Sequence, residues 1–290
     1  MINTVAIMSP GDMGHSVGLE LKKHGIDVIT CLDGRSDRTK LLATRGGFRI
    51  VENFDQMVKE ADLLLSIMVP SNAQQFAIQI AKSIASTKGN LIFVDCNAIS
   101  PKNSKIVSDI ITDAGGQYVD GGIIGNSPAN GDTPRFYVSG PAGNSLLSLD
   151  GKGIAVKLIG DQIGQASGIK MCYAALTKGT NTLQVALLLL AEKMGLLDQL
   201  VEEFSNSQSN VLESMEKSIK KLPANAHRWI GEMQQIASTF EDFGLTSDFH
   251  KGAEKIYTLL NESQFGDETP ETIDLDRTSL ETIKLISKKL

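Results

Sequence analysis

Residues 163–194 read IGQASGIKMCYAALTKGTNTLQVALLLLAEKM, a run without proline that is rich in Ala, Leu, Met, Gln and Lys. This composition predicts one helix, which would be roughly 45 Å long at about 1.5 Å per residue. Its second half, Leu183 to Ala191, is apolar on nearly every side, which predicts burial. Its start contains Gly164 and Gly168, so another surface can approach it closely. We therefore expect this helix to cross between two halves of the protein.

The first half of the same helix carries a polar face. Lys170, Tyr173, Thr177, Asn181 and Gln184 are spaced three or four residues apart, which places them on one side of a helix. Two interpretations of the helix alone stay open. The face points Lys170 into a cleft between the two halves, or it is a solvated polar stripe on a long core helix.

Bulk composition excludes several classes of protein. A chain of 290 residues with 41% hydrophobic residues suits two domains. The net charge is −6, and the charged residues are interspersed without forming a basic stripe, so we expect no nucleic-acid partner. Without a signal peptide or an apolar run of about 18 residues, we expect no membrane association. Cys31, Cys96 and Cys172 lie far apart, which indicates a reduced, cytoplasmic compartment and no metal site.

The N-terminus predicts a nucleotide-binding turn. Thr4 to Met8 resembles a buried strand, and His15 to His24 a helix. Between them, Ser9 takes the first glycine position of a G-x-G-x-x-G fingerprint, while Gly11 and Gly14 fill the other two. Gly11 would let backbone approach a pyrophosphate, and Gly14 would let the helix pack on the strand. An ordinary strand–helix turn is the alternative. The predicted cofactor-binding residues are Ser9, Pro10, Gly11, Asp12, Met13 and Gly14.

A loop after the second strand, Asp27 to Leu32, bears on the choice of cofactor. Asp33 follows Gly14 at the distance where an acid binds an adenosine ribose, which favours NAD. Two guanidinium groups and a hydroxyl in the same loop suit the 2′-phosphate of NADP. We favour NADP, with NAD and a merely solvated turn as alternatives. The residues concerned are Asp33, Gly34, Arg35, Ser36 and Arg38.

Alternating strands and helices continue the pattern. Ala61 to Met68 and Asn90 to Asp95 are nearly continuous apolar strands, as a parallel sheet buried on both faces requires. Ligands bind at the carboxyl ends of such strands. Asn97 is therefore predicted to touch cofactor or substrate, although Asn and Ser before Pro101 are also ordinary capping residues. The segment after the earlier strand is predicted to contact the cofactor through Met68, Val69 and Pro70.

A glycine-rich stretch, Tyr118 to Gly140, lies before the last predicted strand, Ala155 to Ile159. We place its glycines between two strands, where they allow tight turns and close approach of a ligand. A mobile surface loop is the alternative. These glycines are Gly121, Gly122, Gly125 and Gly131.

The chain after Gly195 is helical in pattern throughout. We predict helices over Leu196–Phe204, Asn210–Leu222, Ala226–Phe243, Phe249–Glu262 and Arg277–Lys289. The fold prediction is therefore an α/β Rossmann domain with a mostly parallel sheet, residues 1–162, joined by a long interdomain helix to an all-α domain, residues 163–290. The apolar stretch 183–191 predicts a homodimer formed through the helical domain. Five polar or aromatic residues could line the cleft or merely cap and pack helices: His227, Arg228, Trp229, Glu232 and His250.

This layout resembles the β-hydroxyacid dehydrogenase and 6-phosphogluconate dehydrogenase superfamily along nearly the whole chain. The turn Ser9–Gly14, the stretch Asp95–Pro101 and the segments KMCYA (170–174) and TKG (177–179) resemble its phosphogluconate-dehydrogenase-like branch, which has a C-terminal domain of unknown function. The resemblance implies a Rossmann domain followed by a helical domain, in homodimers or larger assemblies.

The resemblance also implies roles for individual residues. Lys170 matches the family's catalytic lysine, and Asn97 its substrate-contacting Ser or Asn. Residues 120–126 match the segment that usually reads D-A-P-V-S-G-G, but Ile124 replaces its serine and Asn126 its last glycine. Ala174 replaces an asparagine, and residues 231–233 lack a cofactor-side lysine. Substrate recognition must therefore differ from that of the usual small hydroxyacids. The predicted substrate residues are Gly122, Ile123, Ile124, Gly125, Asn126 and Lys170.

The leading functional prediction is an NAD(P)-dependent dehydrogenase or reductase acting on CH–OH groups. It would transfer a hydride between nicotinamide and a small, acidic hydroxy or carbonyl substrate. Partial desolvation would lower the pKa of Lys170 from about 10.4 towards neutrality, which suits a general acid–base. Asn97 would hold the reacting oxygen, with Tyr173 as the alternative proton donor. Two other functions stay open: an imine reductase of the same superfamily, and a non-catalytic NADP-binding sensor or assembly protein.

Overall fold

A computed structural model describes residues 2–290 of the chain. The chain divides into two compact units, the first ending at Met171 and the second spanning Cys172–Leu290. The division falls inside the long helix, whereas the sequence prediction placed the domain boundary at the helix start, after residue 162. The α/β domain followed by a helical domain is confirmed.

The first unit is built on one eight-stranded sheet with the strand order β3-β2-β1-β4-β5-β6-β7-β8. Neighbouring strands pair in parallel except β6 and β7, which are antiparallel. The strands are β1 (Thr4–Met8), β2 (Asp27–Cys31), β3 (Arg49–Val51), β4 (Leu63–Ser66), β5 (Ile92–Asp95), β6 (Gln117–Ile124), β7 (Arg135–Ser139) and β8 (Ala155–Gly160).

Helices cover both faces of this sheet, so successive strand residues enter different cores. Val5 and Ile7 belong to one buried cluster, and Ala6 and Met8 belong to the other. This explains why the strands are apolar at every position rather than at alternate ones. The helices are α1 (Asp12–Lys23), α2 (Asp37–Arg45), α3 (Phe54–Glu60), α4 (Ala73–Thr87), α5 (Pro101–Asp113) and α6 (Gln165–Lys193).

The strand order reverses between β1 and β4, which lie side by side with Met8 paired to Ser66. From β1 the chain proceeds to β2 and β3 on one side, and β4 to β8 extend to the other. A reversal of this kind opens a crevice at the carboxyl ends of the two central strands, where ligands bind in such sheets. The fingerprint turn follows β1 and the segment Met68–Pro70 follows β4, so both predicted segments start at this crevice.

The glycine-rich stretch is partly mispredicted. Gly121 and Gly122 do not lie between two strands but inside β6, whose residues from 118 to 124 are all buried. A Cβ on Gly121 would lie 2.8 Å from the carbonyl oxygen of Asp95, so glycine is needed here for close packing rather than for a turn. Gly125 and Gly131 do lie in the following loop, with φ of +115° and +79°.

The second unit is helical, as predicted, with boundaries shifted by a few residues. The helix predicted from Ala226 begins three residues earlier, at Pro223, because a proline in the first helical turn costs no backbone hydrogen bond. The last helix starts with a capping box between Thr278 and Glu281. The helices are α7 (Leu197–Ser207), α8 (Ser209–Ser218), α9 (Pro223–Asp242), α10 (Asp248–Asn261) and α11 (Ser279–Ser287).

The apolar half of α6 is buried on one side only. Val185, Leu188 and Leu189 are buried within the chain, whereas the exposed fractions of Leu183 and Leu190 are 65% and 60%. The predicted burial of 183–191 therefore fails on one face, because the helices of this unit pack against only part of the circumference of α6.

Candidate functional site

The fingerprint turn connects β1 to α1 with open space above it. A Cβ on Gly14 would lie 2.9 Å from the carbonyl oxygen of Ser9, so glycine lets the helix pack directly on the turn. At Gly11 a Cβ would meet no atom within 4 Å. Gly11 is also the N-cap of α1, and no side chain caps that helix, whereas Ser36 caps α2 and Ser100 caps α5. The first amides of α1 are thus available to an anion such as a pyrophosphate.

Two arginines after β2 reach back to this turn, Arg35 from the loop and Arg38 from the first turn of α2. The Arg35 Nη1 donates to Ser9 Oγ at 3.1 Å, and Arg38 Nη2 forms an ion pair with Asp12 Oδ1 at 2.5 Å. Ser36 has a structural role as well, because its hydroxyl accepts from the Thr39 amide at the start of α2. The structure therefore brings two guanidinium groups to the edge of the fingerprint turn. Asp33 and Gly34, by contrast, are exposed at the tip of the loop.

Asn97 joins the ends of β4 and β5. Its Oδ1 accepts from the Met68 amide at 2.6 Å, and its Nδ2 donates to Ser66 Oγ at 2.8 Å. The side chain is 2% exposed, so both ends of the amide are occupied inside the protein. As placed, Asn97 holds the loop containing the half-buried Met68, Val69 and Pro70. A direct substrate contact by Asn97 stays a prediction, and it would require one of these hydrogen bonds to be exchanged.

The loop after β6 returns to the fingerprint turn. Ser127 Oγ donates to the carbonyl oxygen of Asp12 at 3.3 Å, and Asn126 Nδ2 donates to Asp132 Oδ2 at 2.6 Å. Ile123 and Ile124 are buried, so of the predicted substrate residues only Gly125 and Asn126 are exposed at this loop. Ser127 was not among the predicted site residues. It is a serine before a proline in a glycine-rich loop, and nothing in that pattern indicates a contact so far along the chain.

The side chain of Lys170 contacts β6. Its Nζ donates to the carbonyl oxygen of Ile123 at 2.9 Å, and the side chain is half-buried. A Cβ on Gly122 would lie 2.7 Å from the Ala166 carbonyl oxygen and 2.9 Å from the Lys170 Cβ. Gly122 is therefore the position where α6 packs directly on β6. Residues 123–127 thus contact Lys170 at one end, through the Ile123 carbonyl, and the fingerprint turn at the other, through Ser127.

Two acids are buried on neighbouring strands, Asp95 at the end of β5 and Asp120 in β6. Burial, and after it the negative charge of Asp120, raises the pKa of Asp95 to about 7, although hydrogen bonds from Asn97 act in the opposite direction. Burial also raises the pKa of the Cys96 thiol and of the Tyr118 phenol well above their ordinary values. Neither of these two groups titrates near neutral pH, whereas Asp95 does.

The second unit contains a polar cluster of which only Trp229 and Glu232 were candidates from the sequence. Lys178 and Glu232 form an ion pair with an Nζ–Oε1 distance of 3.0 Å and side chains only 14% and 9% exposed. The Lys178 ammonium also lies 5.6 Å from the centre of the Trp229 ring, and its backbone carbonyl accepts from Tyr257 Oη. Glu232 and Trp229 are thus packed into a helical core. Sequence pattern could not identify Lys178, because its partner lies far along the chain.

The remaining candidates of this unit are placed differently. Tyr173 is 44% exposed on α6. Burial lowers the pKa of both His227 and His250, and the His250 ring packs 4.4 Å from that of Phe240 between ring centroids. Among residues 2–290, no group of three or more His, Cys, Asp or Glu side chains is arranged to hold a metal ion. Within the same range, none of the helices has the length and apolarity needed to cross a bilayer.

Comparison with known proteins agrees with this geometry. Residues 4–145 match the family model of the NAD binding domain of 6-phosphogluconate dehydrogenase, and residues 191–260 match a domain of unknown function (DUF1932). An uncharacterized 28.5 kDa protein in the 7S RNA 5′ region of Methanothermus fervidus is 30% identical over 196 residues, which cover 68% of this chain and 74% of that protein. The chain belongs to the 6-phosphogluconate dehydrogenase-like family with this C-terminal domain.

Solved structures extend the likeness of fold to the whole chain. The 3-hydroxyisobutyrate dehydrogenase of Mycobacterium tuberculosis is 17% identical with a TM-score of 0.68, covering 100% of this chain and 99% of that one. An imine reductase of Streptomyces aurantiacus is 14% identical with a TM-score of 0.54, covering 93% and 98%. At such identities the comparison shows the shared fold alone.

Proposed function

We propose that this protein is an NADP-dependent oxidoreductase that transfers a hydride between nicotinamide and a small, acidic hydroxy or carbonyl substrate. The observation that carries the proposal is the convergence at the fingerprint turn. The amides at the start of α1 face open space above Gly11, and the guanidinium groups of Arg35 and Arg38 reach the same turn. A dinucleotide with a 2′-phosphate matches these groups in charge and in hydrogen-bonding capacity.

The residues present fit the cofactor at two places. The first turn of α1 would hold the pyrophosphate, because its amides have no side-chain cap and Gly11 leaves room for close approach. Arg35 and Arg38 would hold the 2′-phosphate of NADP by charge-assisted hydrogen bonds, in part replacing their contacts with Ser9 and Asp12. With NAD, Asp33 would instead bind the ribose hydroxyls. Two cations against one acid at an exposed loop tip favour NADP.

In the proposed mechanism, the bound nicotinamide supplies or accepts the hydride. Lys170 donates the accompanying proton to the carbonyl oxygen in reduction and accepts it in oxidation. The carbonyl of Ile123 orients the ammonium by accepting one of its N–H bonds. Asn97 holds the Met68 amide and so the wall of the cofactor crevice. Its predicted second role, holding the substrate oxygen, is part of the same proposal.

The nature of the substrate rests on the loop after β6. Gly125 and Asn126 are exposed there, whereas Ile124 is buried where the family's serine usually lies. Substrate selection would therefore come from Gly125, Asn126 and Lys170, with Gly122 and Ile123 shaping the floor under the lysine. An ammonium and a side-chain amide both bind carboxylate oxygens, which supports an acidic substrate.

Two other functions have specific support. The likeness to an imine reductase and the exposed Tyr173 favour reduction of a C=N bond, with the phenol as proton donor. Loss of the family's serine at Ile124 and asparagine at Ala174 favours a non-catalytic NADP-binding sensor. The position of Lys170 on the Ile123 carbonyl supports an enzyme over a sensor, because a sensor has no need of an oriented ammonium.

We also propose that the protein is a cytoplasmic homodimer. Leu176, Leu183 and Leu190 follow one another at intervals of seven residues along α6, with exposed fractions of 70%, 65% and 60%. A repeat of seven keeps large apolar side chains on one helix face, which is the pattern used by two helices that pack side by side. A second copy of α6 offers the same pattern in return, as a two-fold interface requires.

The test of the function is cofactor titration followed by a substrate panel. NADPH and NADH binding would be measured by calorimetry, and oxidation of NADPH would then be followed with carbonyl acids, neutral carbonyls and cyclic imines. Turnover with carbonyl acids supports the leading proposal, and turnover restricted to imines supports the reductase. Tight NADPH binding without turnover on any compound supports the sensor. Absence of binding to either nucleotide contradicts all three.

A further inference from the structure

The start of α6 has no capping residue of its own. Its first helical residue is Gln165, and the preceding residue is Gly164, which has φ of +103° and no side chain. The first amides of a helix need acceptors from outside the helix, most often from the side chain of the preceding residue. The acceptor for α6 must therefore come from another part of the chain.

That acceptor is Asp120, in the middle of β6. Its Oδ2 accepts from the backbone amides of Gly164 at 2.9 Å, Ala166 at 2.9 Å and Ser167 at 3.1 Å. Asp120 is 1% exposed. A carboxylate at a helix N-terminus is stabilised by the partial positive charge there, and more so where water is excluded. Asp120 thus fixes the first turn of α6 onto the sheet.

Further donors close the site to any ligand. Ser104 on α5 donates to Asp120 Oδ1 at 2.8 Å, and Ser139 on β7 donates to Oδ2 at 2.9 Å. The neighbouring Asp95 instead accepts from the backbone amide of Asn97. The Ser167 hydroxyl adds a sixth donor at 3.3 Å from Oδ2. A carboxylate with six donors and almost no exposure cannot bind substrate or transfer protons to it. Its function must be exerted through the helix that it holds.

The same strand holds Lys170 further along. Ile123, three residues after Asp120, accepts from the Lys170 ammonium, and Gly122 between them lets α6 lie directly on β6. The two holding points are about 10 Å apart along the strand, and Ala166 and Lys170 about 6 Å along the helix. We infer that Asp120 is a positioning residue for Lys170, because it sets the start of α6 and so the place of the ammonium on the Ile123 carbonyl. The inference rests on the proposed role of Lys170 as proton donor.

The experiment compares Asp120→Ala and Asp120→Asn with the wild type, with Asn53→Ala as matched control. Asn53 caps α3 in the same unit by accepting from the Gln56 amide, so its loss weakens a helix start remote from Lys170. Two readouts need no substrate: the labelling rate of Lys170 by an amine-acetylating reagent, and hydrogen exchange of the amides of residues 164–167. Both are measured by peptide mass spectrometry on the full-length protein.

In Asp120→Ala we expect exchange at 164–167 to rise at least tenfold and Lys170 labelling to rise at least threefold. Asp120→Asn keeps one carbonyl oxygen and should rescue about half of both effects on a logarithmic scale. Asn53→Ala should change neither, even though its melting temperature falls. With a substrate in hand, Asp120→Asn should lower kcat and leave the KM for NADPH unchanged.

Unchanged labelling and exchange in folded Asp120→Asn would overturn the inference. If neither Asp120 variant folds, hydrogen exchange in the wild type tests the inference instead. Faster exchange of the amides of residues 164–167 than of those of β6 would show that the carboxylate does not hold the start of α6, and would contradict the inference. A wild type that lacks turnover contradicts the proposed function alone, because these two readouts do not depend on turnover.

Discussion

Two glycines of the site, Gly122 and Gly11, should respond to the same substitution in opposite ways. In Gly122→Ala the new Cβ would lie 2.7 Å from the Ala166 carbonyl oxygen and 2.9 Å from the Lys170 Cβ. Neither atom can rotate away, so α6 must move off β6. Overpacking of this kind costs about 1–3 kcal/mol, which outweighs the gain of about 0.4–1 kcal/mol from a less flexible unfolded chain. Mid-range values of the two terms leave a net loss of about 1.3 kcal/mol. At about 2–4 °C per kcal/mol for a domain of this size, the melting temperature should fall by about 3–5 °C.

Gly11→Ala is the matched control for stability. A Cβ there would meet no atom within 4 Å, and the φ of −81° suits alanine, so the melting temperature should stay within about 1 °C or rise slightly. The new methyl group would instead lie where a pyrophosphate must approach, and NADPH binding should weaken at least tenfold, about 1.4 kcal/mol. Differential scanning calorimetry and NADPH titration on both variants give the comparison. A Gly122→Ala protein as stable as the wild type would refute the close packing of α6 on β6.

Three further predictions concern cofactor choice, the buried Asp95 and the dimer. Arg35→Ala should weaken NADPH binding by about 1.5–3 kcal/mol and barely change NADH binding in calorimetric titration; tighter NADH than NADPH binding by the wild type would assign cofactor choice to Asp33. For Asp95, with a folded pKa of about 7, the folded protein retains a proton that the unfolded chain releases near pH 3.8. Wild-type stability should therefore fall by up to about 4 kcal/mol between pH 4 and 7 relative to Asp95→Asn, and parallel pH profiles in chemical denaturation would contradict this. Light scattering on the wild type should give about twice the 31.2 kDa chain mass. The double variant Leu176→Lys, Leu183→Lys should be a monomer. Leu275→Lys should remain a dimer, because Leu275 is as exposed as Leu176 but does not lie on α6.

The fold could be predicted largely from local patterns. The strand from Thr4 to Met8 and the following glycines identify a nucleotide-binding turn, because strand length, turn chemistry and helix start all lie within a few residues. The continuous apolar strands predict a sheet covered on both faces. The helix after Pro223 was predicted to begin three residues late, since a proline can lie either just before a helix or in its first turn, and the sequence pattern alone does not distinguish the two.

The long-range contacts of the site could not be predicted in this way. Asp120 holds the start of α6, more than 40 residues further along, and Ser127 reaches back to Asp12. Gly121 and Gly122 suggested a loop because glycine is common in turns, but the structure uses them where neighbouring backbone leaves no room for a Cβ. Such contacts depend on which strands become neighbours, and local spacing carries no record of that.

The role of Lys170 is tested most directly by Lys170→Met, which keeps the length of the side chain but removes the proton. With a substrate from the panel, we expect NADPH affinity within about twofold of the wild type and a turnover number lower by roughly 10²–10⁴. Circular dichroism on the same samples confirms that the variant is folded. A folded Lys170→Met protein with near wild-type turnover would contradict the account, and Tyr173 would then be the leading proton donor.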